Sequence, residues 1–213
     1  MVAAGALISG AGTNLQAIID RIAAGRLDCT LHLVISNRPG APGLARAEAA
    51  RVPTRVIDHR GFAGREDFDR AVVQALRDAG VELVVLAGFD RLITPAFIEA
   101  FPNRIMNVHP ALLPAFKGLH AQRQALEYGV KLAGATVHFV DEETDHGPII
   151  VQGAVPVRPD DDEEAIRERI LTVEHEIYPA AIQLFAEGRL RIEGRRVVVD
   201  GPRPAPAAPL IQW

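Results

Sequence analysis

Over its first hundred residues the chain alternates short β-like runs with amphipathic helical stretches, a rhythm that argues for a parallel, doubly wound sheet. Ala3–Ile8 leads through a Gly-rich loop into a helix that carries Leu15, Ile18, Ile19 and Ile22 on one stripe. Leu31–Ile35 forms a second strand, Leu44–Arg51 a short helix after Pro42-Gly43, and Val56-Ile57 a brief third strand. Phe68, Val72 and Leu76 mark a helix closed by Gly80, and Leu83–Leu86 is the aliphatic run expected of a strand covered on both faces.

Beyond His109 the pattern changes. Pro110, Pro114 and Gly118 break the chain, and Ala121–Tyr128 then reads as a helix ended by Gly129. Ala135–Val140 and Ile149–Val157 are strands, most simply an antiparallel pair joined by an acidic loop. A long helix follows with Ile166, Ile170, Val173 and Ile177 on one face, and Leu190–Val199 is a hairpin turning at Gly194. The acidic run Asp160 to Glu164 reads as the solvated start of that helix. One domain is expected over 1–200, with 201–213 a Pro/Ala-rich tail anchored by Trp213.

Bulk properties exclude several classes. A formal charge of -4 leaves no electrostatic footprint for nucleic acid or anionic lipid. No uncharged apolar run is long enough for a membrane span, and the apolar N-terminus reads as a first strand and not as a signal peptide. The single cysteine, Cys29, excludes an internal disulfide and a multi-Cys zinc site, which points to a reducing, cytoplasmic setting. Cys29 itself reads as a small core residue.

Ser9-Gly10-Ala11-Gly12-Thr13-Asn14 lies between the first strand and the first helix. Glycines let the backbone approach an anion, and free N–H groups at a helix start favour phosphate. No Gly-Lys-Ser/Thr follows, so it is not a Walker A loop. Leu15 stands at the third glycine position of a dinucleotide fingerprint, and Ser36-Asn37-Arg38 lacks the acid that would hold a ribose diol. A phosphate monoester fits better than NAD, and a plain strand-to-helix turn capped by Thr13 or Asn14 is the structural alternative.

The chemistry-bearing residues follow. Asn107 and His109 are spaced i, i+2, so on a strand both point to one face. Both can donate to an oxygen that gains negative charge, and Asp145 on the later Gly-Pro loop can support a protonated imidazole or order a water that relays a proton. No Ser or Cys nucleophile is suggested, so direct transfer at a carbonyl carbon is the simpler scheme. The same residues could instead shape turns. His120 and His138 could join His109 and Asp145 around a metal, but no close His-x-His or His-Glu-x-x-His spacing exists, and no metal is expected. Glu174 shares the buried stripe of Ile166 and Ile170, so its carboxylate is either paired internally or faces a ligand.

From about residue 5 to residue 190 these pieces resemble the glycinamide ribonucleotide transformylases, folate-dependent formyltransferases of purine synthesis. The resemblance is carried by Leu7 through Ile18, Leu86-Ala87-Gly88-Phe89, Asn107-Val108-His109-Pro110, Leu112-Leu113-Pro114 and Gly118-Leu119-His120. Val137 to Val140, Asp145-x-Gly147-Pro148 and Glu174-His175-x-Ile177-Tyr178-Pro179 complete it. It implies a Rossmann-like α/β formyltransferase fold, mostly parallel with an antiparallel C-terminal part. It also implies 10-formyltetrahydrofolate as donor and the amine of glycinamide ribonucleotide as acceptor. Asn107, His109 and Asp145 then match the catalytic trio, Gly12, Thr13 and Asn14 the phosphate loop, and Glu174 an acid on the nucleotide. Arg91, Leu92 and Ile93 match the folate pocket together with the loop from Val140 to Asp145, and Arg65 matches a basic residue near the folate glutamate tail. A monomer or homodimer acting on small molecules is expected.

Two residues depart from the family pattern. Asp90 stands where an apolar folate-pocket residue is usual, and His146 replaces a small residue in the acid loop. Pro114 to Gly118 is also similar to the related formyltetrahydrofolate deformylases, whose additional N-terminal domain this chain is expected to lack. Hydrolytic deformylation is therefore the alternative within the enzyme class. A non-catalytic nucleotide sensor and a dinucleotide oxidoreductase are the alternatives outside it.

Overall fold

The structure, a computed structural model, describes residues 1–202, so Trp213 and the expected anchoring of the tail lie outside the described residues. Side-chain alternation builds its centre. In β1 (Val2–Ile8), Ala4, Ala6 and Ile8 face one buried cluster while Leu7 faces another. The same split occurs in β4 (Leu83–Leu86), where Leu83 and Val85 point one way and Val84 and Leu86 the other. Strands apolar on both faces need helices on both faces. α1 (Thr13–Ala23), α2 (Pro42–Ala49) and α6 (Glu163–Ala186) supply Leu15, Ile18, Leu44, Ala47, Ile166 and Ile170 to one side. The other side takes Phe68, Val72 and Leu76 from α3 (Arg65–Asp78) and Phe97 from α4 (Pro95–Ala100).

The remaining strands are β2 (Cys29–Ser36), β3 (Thr54–Val56), β5 (Ile105–His109), β6 (Leu132–Phe139), β7 (Ile149–Pro156), β8 (Leu190–Glu193) and β9 (Arg196–Val199). They form one sheet in the order β3-β2-β1-β4-β5-β6-β7-β9-β8. The first five strands are parallel, β6 runs against β5 and β7, and β8 against β9. The chain leaves β1 toward β3 and returns to β4 on the other side of β1. This reversal opens a crevice at the strand carboxyl ends, where doubly wound sheets bind ligands.

Three expectations shift. The third strand is Thr54–Val56, because its parallel register with β2 runs Val34↔Thr54 to Ser36↔Val56, leaving Ile57 to bond the Ser36 carbonyl from just beyond. α4 was not legible, since six residues opening on a proline are too few to show a helical period. The acidic run is not merely solvated. Asp162 caps α6 by accepting from the Ala165 N–H at 2.8 Å, and Asp161 takes both Arg169 Nη groups at 2.6 and 2.7 Å. The Arg169 hydrogen bonds hold the Asp161 carboxyl down at about 2.

Cys29 is buried, as read from the sequence. Tyr178 of α6 is wholly buried, and its hydroxyl lies 3.0 Å from the Leu86 carbonyl oxygen and 2.8 Å from that of Met106. α6 is thereby fastened beneath the last residue of β4 and the second residue of β5. No helix among the described residues is long and apolar enough to cross a membrane.

Candidate active site

The loop after β1 enters α1 through Gly12, whose φ of 70° is left-handed. A Cβ at Gly12 would stand 2.7 Å from the Gly43 Cα, so glycine is required twice over, by conformation and by the close approach of α2. No side chain caps α1, which leaves its first-turn N–H groups free of the Thr13 or Asn14 cap considered from the sequence. Asn14 instead turns inward and donates from Nδ2 to Glu174 Oε2 at 2.6 Å. Its own Oδ1 is buried without a partner.

Glu174 is 5 % exposed, and burial pushes its carboxyl up to about 7 against the pull of the Asn14 amide and Arg167. Arg46 of α2 joins this end of the crevice. Its Nε donates to the Ala11 carbonyl at 2.9 Å and its Nη1 to Gln16 Oε1 at 3.3 Å. Sequence reading missed Arg46, because only the packing of α2 beside α1 brings it to the loop.

At the other end, β5 carries Asn107 and His109 on one face, as their spacing requires. His109 is buried, with Nδ1 3.3 Å from Asp145 Oδ2 and Nε2 2.8 Å from the Phe116 carbonyl oxygen. Both ring nitrogens face acceptors, so a doubly protonated ring satisfies both. Asp145 Oδ2 also accepts from the Gly118 N–H at 2.8 Å. The antiparallel register sets His138 opposite Asn107, and Asn107 Nδ2 approaches His138 Nε2 at 3.3 Å. His138 Nδ1 donates to the Phe139 carbonyl at 2.8 Å, which leaves Nε2 as the acceptor for the Asn107 amide. Burial lowers the His138 pKa, with His109 adding to the effect, and a neutral ring fits this arrangement.

The structure thus brings Asn107, His109, Asp145 and His138 together. His120 is exposed at the start of α5 (Ala121–Tyr128). Among the described residues no three His, Cys, Asp or Glu side chains are arranged to hold a metal ion. The polypeptide after His109 is held by Thr136, whose hydroxyl donates to the Ala111 carbonyl at 2.7 Å and accepts from the Leu113 N–H at 3.0 Å.

Of the residues matched to a folate pocket, Ile93 and Val140 pack against the α3 side of the core, and Leu92 remains 55 % exposed. The Arg91 guanidinium lies over the Phe68 ring, 5.6 Å from its centroid, with Nε buried and unpartnered. Arg65 is exposed at the first position of α3. Asp90 is tied into a polar junction. Its Oδ1 accepts from Ser9 Oγ at 2.7 Å and Asn37 Nδ2 at 3.0 Å, its N–H donates to Ser9 Oγ at 2.9 Å, and Arg38 pairs with Oδ2. These hydrogen bonds hold the Asp90 carboxyl below its ordinary range, despite the opposing and largest effect of burial. The residue that opens the β1 loop is thereby joined to the one preceding Arg91.

Fold and site together are those of a doubly wound α/β protein with a Gly-rich loop and uncapped helix N–H groups at one end of the crevice and polar donors at the other. The chain belongs to the formyl transferase family, whose model matches residues 4–182. It is 44% identical over 200 residues to the phosphoribosylglycinamide formyltransferase of Escherichia coli (strain K12), covering 94% of each chain. It is 49% identical over 184 residues to the trifunctional purine biosynthetic protein adenosine-3 of Drosophila melanogaster, covering 85% of this chain but spanning only 14% of that one. The crystal structure of glycinamide ribonucleotide transformylase 1 from Symbiobacterium toebii superposes with a TM-score of 0.92 at 56% identity, over 93% of this chain and 94% of that one.

Proposed function

We propose that this protein transfers the formyl group of 10-formyltetrahydrofolate to the amine of glycinamide ribonucleotide. The observation that carries the reading is the His109–Asp145 pair, 3.3 Å apart, beside Asn107 at the end of β5. Relatives that share almost the whole chain bear the corresponding names.

In this reading the N–H groups of Gly12, Thr13 and Asn14 receive the phosphate, and Arg46 adds positive charge beside them. Glu174 and the unpartnered Asn14 Oδ1 meet the nucleotide's hydroxyl groups. Leu92, Ile93 and Val140 line the folate side. The orphaned Arg91 Nε and the exposed Arg65 suit the polar and anionic parts of that molecule. The amine nitrogen bonds to the formyl carbon, the bond from that carbon to the folate nitrogen breaks, and one proton passes from the amine to that folate nitrogen. Asn107 donates to the formyl oxygen as it gains charge, and His109 does so by turning its Nε2–H from the Phe116 carbonyl to that oxygen, each worth roughly a hundredfold or more in rate. Asp145 holds the imidazolium and orders the water that relays the proton. His138 orients the Asn107 amide. No nucleophilic side chain is required.

The test is an absorbance assay with purified protein, formyl donor and glycinamide ribonucleotide, with the nucleotide omitted as control. Turnover should depend on the nucleotide, and Asn107→Ala should lower kcat about a hundredfold. Formate release at an equal rate without the nucleotide would replace this reading with hydrolytic deformylation.

A further inference from the structure

Asp145 has a φ of 48°, left-handed backbone that is unfavourable for a non-glycine residue and persists only where its surroundings impose it. One support is clear from its neighbour. At Gly147 an added Cβ would lie 1.9 Å from the Phe139 carbonyl oxygen, so the backbone is wedged against the end of β6. The residue between them is His146.

His146 closes the loop on itself. Its Nδ1 donates to Asp141 Oδ2 at 2.8 Å, and Asp141 Oδ1 accepts from the Glu143 N–H at 3.2 Å, so side chains at the two ends of the loop are joined. The other face of the ring meets Arg195, at the turn between β8 and β9. Arg195 Nη1 is 2.7 Å from His146 Nε2, and its Nη2 donates to the His146 carbonyl at 2.7 Å. A ring with its proton on Nδ1 gives to Asp141 and accepts from Arg195. Glu143 Oε2 also faces Nε2, at 3.8 Å.

The hairpin does not need these bonds to dock. Leu190, Ile192 and Val197 already pack against the α6 side of the core, and β9 joins β7 through Ile149↔Arg196. The Arg195 hydrogen bonds therefore act on the loop.

We propose that His146 and Arg195 are positioning residues for the catalytic acid, fastening the 141–147 loop so that Asp145 keeps its left-handed backbone and faces His109. The inference rests on the formyl-transfer reading of the same site. It makes the C-terminal hairpin, remote in sequence, part of the active-site scaffold. A residue at 146 with no side-chain donor cannot make this link.

The experiment compares wild type with H146A, R195A and R195K by amide exchange and by steady-state kinetics. In H146A and R195A, exchange across 142–147 should speed up at least about tenfold, with α1 unchanged. In both, kcat should fall about tenfold with the nucleotide KM and the thermal midpoint unchanged, and R195K should recover most of the loss. Unchanged exchange in the loop, faster exchange with wild-type kcat, or no recovery in R195K would each overturn the inference. Exchange reads the loop without catalysis, so an inactive wild type would defeat the functional reading while leaving the fastening measurable.

Discussion

The two ends of the crevice are built in opposite ways. At the β1–α1 loop, backbone and side chains are locked: Gly12 packs against Gly43, Asn14 is bonded to Glu174, and Arg46 folds back on the Ala11 carbonyl. At the other end, Asn107 and His109 sit on β5 but their partners hang on irregular backbone, with positive φ at Phe116, Gly118 and Asp145. Rigid donors suit the phosphate recognition proposed for this loop. Irregular loops closing over a strand end suit a step in which charge appears and disappears. Binding and turnover should therefore be separable by mutation.

The sharpest break would come from His109→Ala. It should lower kcat about a thousandfold and leave nucleotide affinity, read by calorimetry, within about twofold. Comparable losses in both quantities would mean the two ends are not independent.

Next in size is Glu174→Gln, read by denaturant unfolding between pH 4.5 and 8. Burial holds the Glu174 carboxyl near 7 in the folded protein, against 4.5 for an ordinary glutamate. Folding then retains a proton that the unfolded chain gives up, so wild-type stability should fall as pH rises from 4.5 through about 7. The accumulated loss relative to the variant is about 3 kcal/mol at pH 8, and a pH-independent difference would show that the carboxyl is already ionised in the native state.

Gly12→Ala should raise the nucleotide Kd about tenfold and spare kcat at saturation, because the new Cβ meets the Gly43 Cα at 2.7 Å and the backbone is left-handed. A drop in kcat at saturation would show that the phosphate loop takes part in the chemistry. The smallest effect belongs to Asp90→Leu, which strands Ser9 and Asn37. About a fivefold rise in the KM for the formyl donor is expected, the worth of one partly screened charge-assisted hydrogen bond. An unchanged KM would make the junction purely structural.

Much of this was legible in the residues. The i, i+2 spacing of Asn107 and His109 placed them on one strand face, and the i, i+4 and i, i+8 spacing of Ile166, Ile170 and Glu174 buried an acid. A strand period and a helix period suffice for both. What escaped depends on how elements meet. His138 faces Asn107 only through the β5–β6 register, and sequence reading weighed it as a metal ligand. The partner of His109 Nε2 is the main-chain oxygen of Phe116, and a backbone carbonyl has no signature in residue type. Likewise, His146 stood out as unusual in the acid loop, but its partner Arg195 lies 49 positions away.

Tyr178 sits one helical turn beyond Glu174, with its hydroxyl between the carbonyl oxygens of Leu86 and Met106. Those oxygens belong to neighbouring strands, one leading toward Asp90 and Arg91, the other toward Asn107 and His109. A single phenolic proton is thus shared by the two main chains that lead to the Asp90–Arg91 segment and to the Asn107–His109 pair. Deleting one oxygen atom, as in Tyr178→Phe, would withdraw a common tether from both at the same moment, from a side chain that is itself wholly buried.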